Sequence, residues 1–327
     1  MRLSLIALFV SFTSLAQSSP ESAGWIDRLN LAGALPEKLL STRTAAFYDY
    51  RLSAQEIEAL QQYFQRTGID AVAYFELDML MAGKDVTNAF SAYLTRREIQ
   101  NLVFVEKEKN YRITITLFNG KENVVDAQQN AWSISNPVFT EALKTLYRTA
   151  ANQLKRTNLL INELPETDIT INPILGKRNE FFAIDLKVDP LAVPRTGDEN
   201  IDKKLERIFQ EHYPLKYKLT DPGVPEKELR KQGLLYVMCV VHTRSVVAKR
   251  VLGYDMTKAE SAQVSVTYSE GQSQLKNIPS NTDVYKVYFK HIDSGNVFLG
   301  TKWDADLTLE QAIINQLRGL KVELRLN

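Results

Sequence analysis

One cysteine and three histidines are all that the 327 residues contain. With Cys239 alone, an intramolecular disulfide is impossible and a zinc site built on several thiolates is excluded. His212, His242 and His291 have no helical metal-ligand spacing and HExxH is absent, so a histidine site would have to gather ligands from remote segments. No P-loop, GxSxG or GxGxxG occurs. The Gly-Lys of "LFNGKENV" lacks the earlier glycine and the following hydroxyl residue that would cradle a phosphate. These gaps predict no cofactor and no metal. Charge of one sign is missing too, with 40 basic against 39 acidic residues. Nucleic acid and anionic membranes both select for a basic excess, so neither is expected as the main partner.

Beyond the N-terminus, no apolar run approaches the length of about 18 residues that a transmembrane helix needs. The N-terminus itself, "MRLSLIALFVSFTSLAQSSP", carries Arg2, an apolar run from Leu3 to Phe12, and small residues at Ser14 and Ala16. That pattern predicts a cleaved export signal over residues 1–16, too short to anchor, and hence a periplasmic or secreted protein with no transmembrane segment in its mature chain. The rest is long enough for two domains. Cys239 sits in "LLYVMCVVH" and is expected to be a small buried hydrophobe.

A repeat organises the chain. In "YRITITLFNG", Tyr111, Ile113, Ile115 and Leu117 alternate onto one face before a turn; in "YKVYFKHIDS", Tyr285, Val287, Phe289 and His291 do the same 174 residues on. Each turn is followed by a predicted returning strand (123–125 and 296–299), then Trp132 or Trp303, then an amphipathic helix. Pro137 suits a first helical position, and Thr308 with Gln311 a capping box. Upstream, Ser53 and Glu56 form another capping box and Gly68 a helix stop. "EFFAIDLKV" and "AQVSVTYS" read as strands, and "SEGQSQLKNIPSNTD" as a polar loop. The expectation is an α/β (α+β) protein of two tandem, similar two-layer units, each a mixed sheet with helices mainly on one face. The first unit spans 22–162, a linker 163–179, and the second unit 180–327.

Several residues resemble chemistry. His291, Asp293 and Ser294 are the three residue types of a hydrolytic triad, but Asp, Ser, Gly and Asn in "DSGN" are what a turn demands, and the matching turn at Asn119-Gly120 has no such trio. Glu76 and Asp78 in "YFELDM" lie two apart, which on a strand places both on one face with Tyr74, either as an acid and base pair or as a solvated face. Asp185, Asp189, Asp198 and Glu199 match no Ca²⁺ loop. Arg96, Arg97, Arg244, Lys249 and Arg250 read as a solvated basic face, with Arg244 and Arg250 candidates for partner contact. Trp132 and Trp303 are candidates for stacking on a sugar, against packing their own helices.

In "GIDAVAYFEL", "YRITITLFNGKENVV" with its closing helix, and "KVYFKHIDSGNVFLGTKWDAD" with its own, the order of strand, hairpin and helix resembles the N-terminal α/β domain of the periplasmic protein TolB and related envelope modules. No propeller repeats accompany it, so that family's partner does not carry over. The resemblance implies a non-catalytic envelope module. The function expected is therefore an exported binding or scaffold protein whose partner is another envelope protein. The alternatives are a carboxylate-based hydrolase using Glu76 and Asp78, and a carbohydrate or peptidoglycan binder using Trp132 or Trp303.

Overall fold

The computed structural model describes residues 26, 28–158, 161–162, 169–257, 261–269 and 272–326. The predicted export signal lies outside the described residues, as does part of the predicted linker, 163–168. The chain is α/β with mixed sheets.

The first sheet contains β1 (Arg43–Tyr48), β2 (Asp70–Glu76), β3 (Ile99–Lys107), β4 (Tyr111–Leu117) and β5 (Ala131–Asn136), in the order β2-β1-β3-β4-β5. β2 and β3 flank β1 in parallel, whereas β4 and β5 continue antiparallel. Parallel neighbours need crossovers. α1 (Ala54–Thr67) supplies the first, and α2 (Leu77–Leu80) with α3 (Lys84–Arg96) the second. α1 begins at the predicted capping box, where Ser53 Oγ accepts from the Glu56 amide and the Glu56 carboxylate accepts from the Ser53 amide. It stops at Gly68, whose φ of 96° suits a residue without a Cβ. α4 (Phe139–Gln153) closes this half, and Pro137 lies two residues ahead of its first turn rather than in it.

The second sheet contains β6 (Arg178–Asn179), β7 (Leu191–Pro194), β8 (Tyr217–Thr220), β9 (Tyr236–Arg244), β12 (Asp283–His291) and β13 (Val297–Phe298), ordered β6-β13-β12-β9-β7-β8. Read from β8, the first five of its six strands repeat the order and directions of the first sheet: three parallel strands with the earliest in the middle, then two antiparallel. α5 (Glu199–His212) and α6 (Glu226–Lys231) make the crossovers, and α8 (Leu309–Glu323) closes. The period-two segments at Tyr111 and Tyr285 thus occupy the same fourth place, as β4 and β12. Between β9 and β12 the second half inserts α7 (Ser245–Val251) and a two-stranded ribbon, β10 (Ala262–Ser269) with β11 (Gln272–Pro279).

Local expectations fail where tertiary packing decides. The strand predicted at "EFFAIDLKV" is a 3-10 turn over Ile184–Lys187. Phe182 and Leu186, four apart, are its buried residues, which is a helical spacing rather than an alternating one. The polar loop predicted after Ser269 contains β11. The first returning strand is not at 123–125, where Val124 has a φ of 65°, but at β5, which contains Trp132.

Alternation sorts the strands between cores. Ala46, Val103, Val105, Ile113 and Ile115 face α1 and α4. Leu191, Val193, Tyr236, Met238, Val287 and Phe289 face α5 and α8. The opposite faces are not solvated, because they share one central core: Phe47, Phe75 and Phe104 of the first sheet, Val86 and Phe90 of α3, Val247 and Val251 of α7, and Val241 and Tyr288 of the second sheet. Helices therefore lie on both faces of each sheet, with α3 and α7 between the two. Within the predicted linker, Ile171 is buried in that central core and β6 joins the second sheet.

Candidate functional site

β2 ends where its pairing with β1 ends, at Tyr48 opposite Glu76. The chain then turns through α2, so Asp78 is not on a strand and its side chain is set by a helical turn. Tyr74, expected beside these carboxylates, is instead buried under α1 against Phe64. Glu76 and Asp78 converge, but on a cation from the other half of the chain. Arg244, at the end of β9, donates through Nε and Nη2 to Asp78 and through Nη2 to Glu76, with Nη1 on Asn281 at 3.0 Å. Its guanidinium carbon lies 3.7 Å from the centroid of the Tyr50 ring. Arg250 Nη1 adds a contact to Glu76 at 3.3 Å.

The Arg244 side chain is only 6 % exposed. Burial pushes the Asp78 carboxyl up, against the pull of Arg244. An acid and base pair needs one carboxylate free to exchange a proton with a substrate. Here two carboxylates and two guanidinium groups neutralise one another, and the cluster ties α2 to β9 and α7. Arg244 is therefore spent inside the molecule, whereas Arg250 keeps an exposed side chain beside Glu76, and Lys249 Nζ stands 5.4 Å from the centroid of the Trp303 ring.

A second bridge lies close by. Lys290 Nζ reaches Asp85 and Glu226, and Tyr288 Oη donates to Asp85 at 2.7 Å. Cys239 packs beside these groups, partly buried, and burial pushes its thiol pKa up, as expected of an inert residue.

The trio at the opening of "DSGN" is a turn. Ser294 Oγ is 3.2 Å from His291 Nδ1, but Asp293 faces away and holds Arg230 Nε through both oxygens, at 2.9 and 2.7 Å. The histidine ring therefore has no carboxylate orienting it. Asp198 caps α5, and among the described residues no group of three metal-ligating side chains converges.

The two tryptophans are not equivalent. Trp132 is half-buried against the core under α1 and α4. Trp303 lies beyond β13 and is buried in the central core, edge-on to Tyr254. A ring buried in this way has no face to offer a sugar.

Sequence reading missed two features. Lys286 is fully buried, with Nζ donating to Leu299 O at 2.7 Å, Gln316 Oε1 at 2.8 Å and the Asp304 carboxylate. Burial lowers the lysine pKa and raises that of its aspartate partner. Lysine and aspartate in an alternating strand and a loop look solvated in sequence, so only the fold exposes this pair. Beside it, a cleft of about 130 Å³ opens between β10 and α8. The other feature is apolar surface: Phe181, Ile184 and Val188 are 67, 68 and 69 % exposed around the 3-10 turn. No family model matches the chain, and no curated protein matches it.

Proposed function

We propose that this is an exported, non-catalytic binding or scaffold protein of a cell envelope, acting through contacts with another envelope protein. The observation that carries the reading is the apolar stretch at the entrance to the second half. Phe181, Ile184 and Val188 stand well out of the surface within eight residues, whereas Phe182 and Leu186 between them anchor the stretch in the core under α5 and α8. Large apolar side chains held out on a fixed backbone favour a protein partner, since removing them from water on binding is favourable. Export is argued from the run Leu3 to Phe12 and the small residues that follow it.

The chemistry-bearing candidates support the same reading. Glu76 and Asp78 are closed by Arg244, and Asp293 is closed by Arg230. The common strand order of the two sheets supports a tandem duplication of one unit as the origin of the architecture.

The test is affinity capture from the native envelope with the mature protein, run beside a Phe181→Ser, Ile184→Ser, Val188→Ser variant whose melting temperature is checked first. A protein enriched by the parent and lost with the folded variant supports the reading. Equal recovery by both, or none by either, overturns it.

A further inference from the structure

We propose that the cleft between the β10–β11 ribbon and α8 is a binding site for an aliphatic primary amine, with its ammonium group held by Glu323. The proposal does not rest on the scaffold reading.

The cleft, about 130 Å³, is close in size to the engineered apolar cavity of about 150 Å³ that holds benzene in another protein. Its walls include Val266, Tyr268 and Val322, and Gly300 and Gly319 lie along it. An alkyl chain of about five carbons suits such walls.

The polar end is specified by an unmet acceptor. Glu323 Oε1 accepts from the Phe182 amide, but Oε2 is buried and has no hydrogen-bond partner among the described residues. A buried carboxylate oxygen without a donor is unfavourable until one arrives. Glu323 lines the cleft but Oε2 is closed to water, so the amine meets it as the carboxylate turns outward. Asp304, the other carboxylate on the cleft, is already committed to Lys286. Glu323 is also the last residue of α8, where the helix carbonyls concentrate negative potential. A cationic donor answers both the orphaned oxygen and that potential, which a neutral donor does only in part. Lys302, exposed at the cleft, is the one cation along it among the described residues and competes with an incoming amine.

Two further features indicate that the space is kept open. The ribbon's polarity is inverted: Gln263 and Ser265 are buried, hydrogen-bonded to Ser245 and to Ala305 O, while Val264 is 52 % exposed. Leu275, directly opposite Val266 and so on the same face, is 77 % exposed. A ribbon shaped only by water would turn the other way. Gly319 stands inside α8, where glycine is a poor choice, yet a Cβ there would meet only Phe182 Cε2 at 4.0 Å. Packing does not demand glycine at that position, where the helix lines the cleft.

The test is titration of the full chain with n-pentylamine and with n-pentanol, followed by NMR shifts or calorimetry. The amine is expected to bind saturably and at least tenfold tighter than the alcohol, the discrimination of one charge-assisted hydrogen bond. Glu323→Gln is expected to lower amine affinity at least tenfold and leave the alcohol unchanged, and Lys302→Ala to raise amine affinity. Gly319→Leu, one helical turn before Glu323 on the same wall of the cleft, is expected to fill it and abolish binding of both. Absence of amine binding, equal binding of the two probes, or amine binding unchanged in folded Glu323→Gln or Gly319→Leu would overturn the proposal.

Discussion

Glu56 shows how much a single side chain can hold. It caps α1 through the Ser53 amide and accepts from Lys107 Nζ and Tyr111 Oη, joining that helix to the β3–β4 hairpin. Burial works to raise its pKa, but the hydrogen bonds from Lys107, Tyr111 and Ser53 outweigh it and hold the carboxyl down at about 2. A depressed carboxylate contributes stability that is present above its ordinary pKa and lost as pH falls toward the folded value. Glu56→Gln is therefore expected to flatten the acid limb of the stability profile between about pH 4.5 and 2, and to cost about 1 kcal/mol at neutral pH after allowance for solvent screening. Chemical denaturation across that range checks it. Arg244→Leu is expected to cost about 3 kcal/mol at neutral pH, because it strips Asp78 of its guanidinium partner and leaves Glu76 with Arg250 alone. Without Arg244 the Asp78 carboxyl sits still further above its unfolded value, so its repulsion is relieved as pH falls. The deficit should shrink as acidification protonates Asp78, and a deficit that is flat with pH would contradict this account.

At the scale of elements, capping and alternation were legible because they are local. Ser53, Gly68 and Thr308 mark helix ends in the predicted way, and β4 and β12 present Ile113, Ile115, Val287 and Phe289 to their helices as the alternation implies. Strand ends were less legible. The run "AVAYFELDMLMAG" reads as one strand, yet β2 stops where β1 stops, and pairing length is a property of the neighbour. The same blindness hid the candidate sites: Glu76 and Asp78 meet Arg244 from 166 to 168 residues away, a separation that no local pattern encodes. α8 offers a direct element-scale test. Gly319→Ala is expected to stabilise the protein by up to about 1 kcal/mol, since it restores helix propensity without a clash, measured as a shift in the urea midpoint.

Across the whole molecule, the two halves are joined by more than a tether. The His242 amide donates to Ala82 O at 2.8 Å, Thr243 Oγ1 donates to Asp78 O at 3.1 Å, and a Cβ on Gly83 would come within 2.6 Å of Val240 O. Around these contacts lies the central core, which draws on both sheets. Unfolding should accordingly be a single transition seen alike by probes in either half, and Phe90→Ala, which empties the shared core, should lower that one transition by about 3–5 kcal/mol. Two separated transitions in calorimetry would show that each half stands on its own private core. Gly83→Ala should destabilise as well, through backbone that has nowhere to move.

The sequence by itself determined the α/β class, the place of the period-two strands, the helix caps and the turn at Asp293, because each follows from the chemistry of residues a few positions apart. The tertiary structure alone decided that the second sheet faces are buried in common, that Arg244 neutralises Glu76 and Asp78, and that a cleft beside Lys286 and Asp304 is lined by Glu323, whose Oε2 has no partner among the described residues. The physical reason is range. Propensity and patterning act along the chain, whereas burial, desolvation and ion pairing act between surfaces that meet only when the halves close on one another.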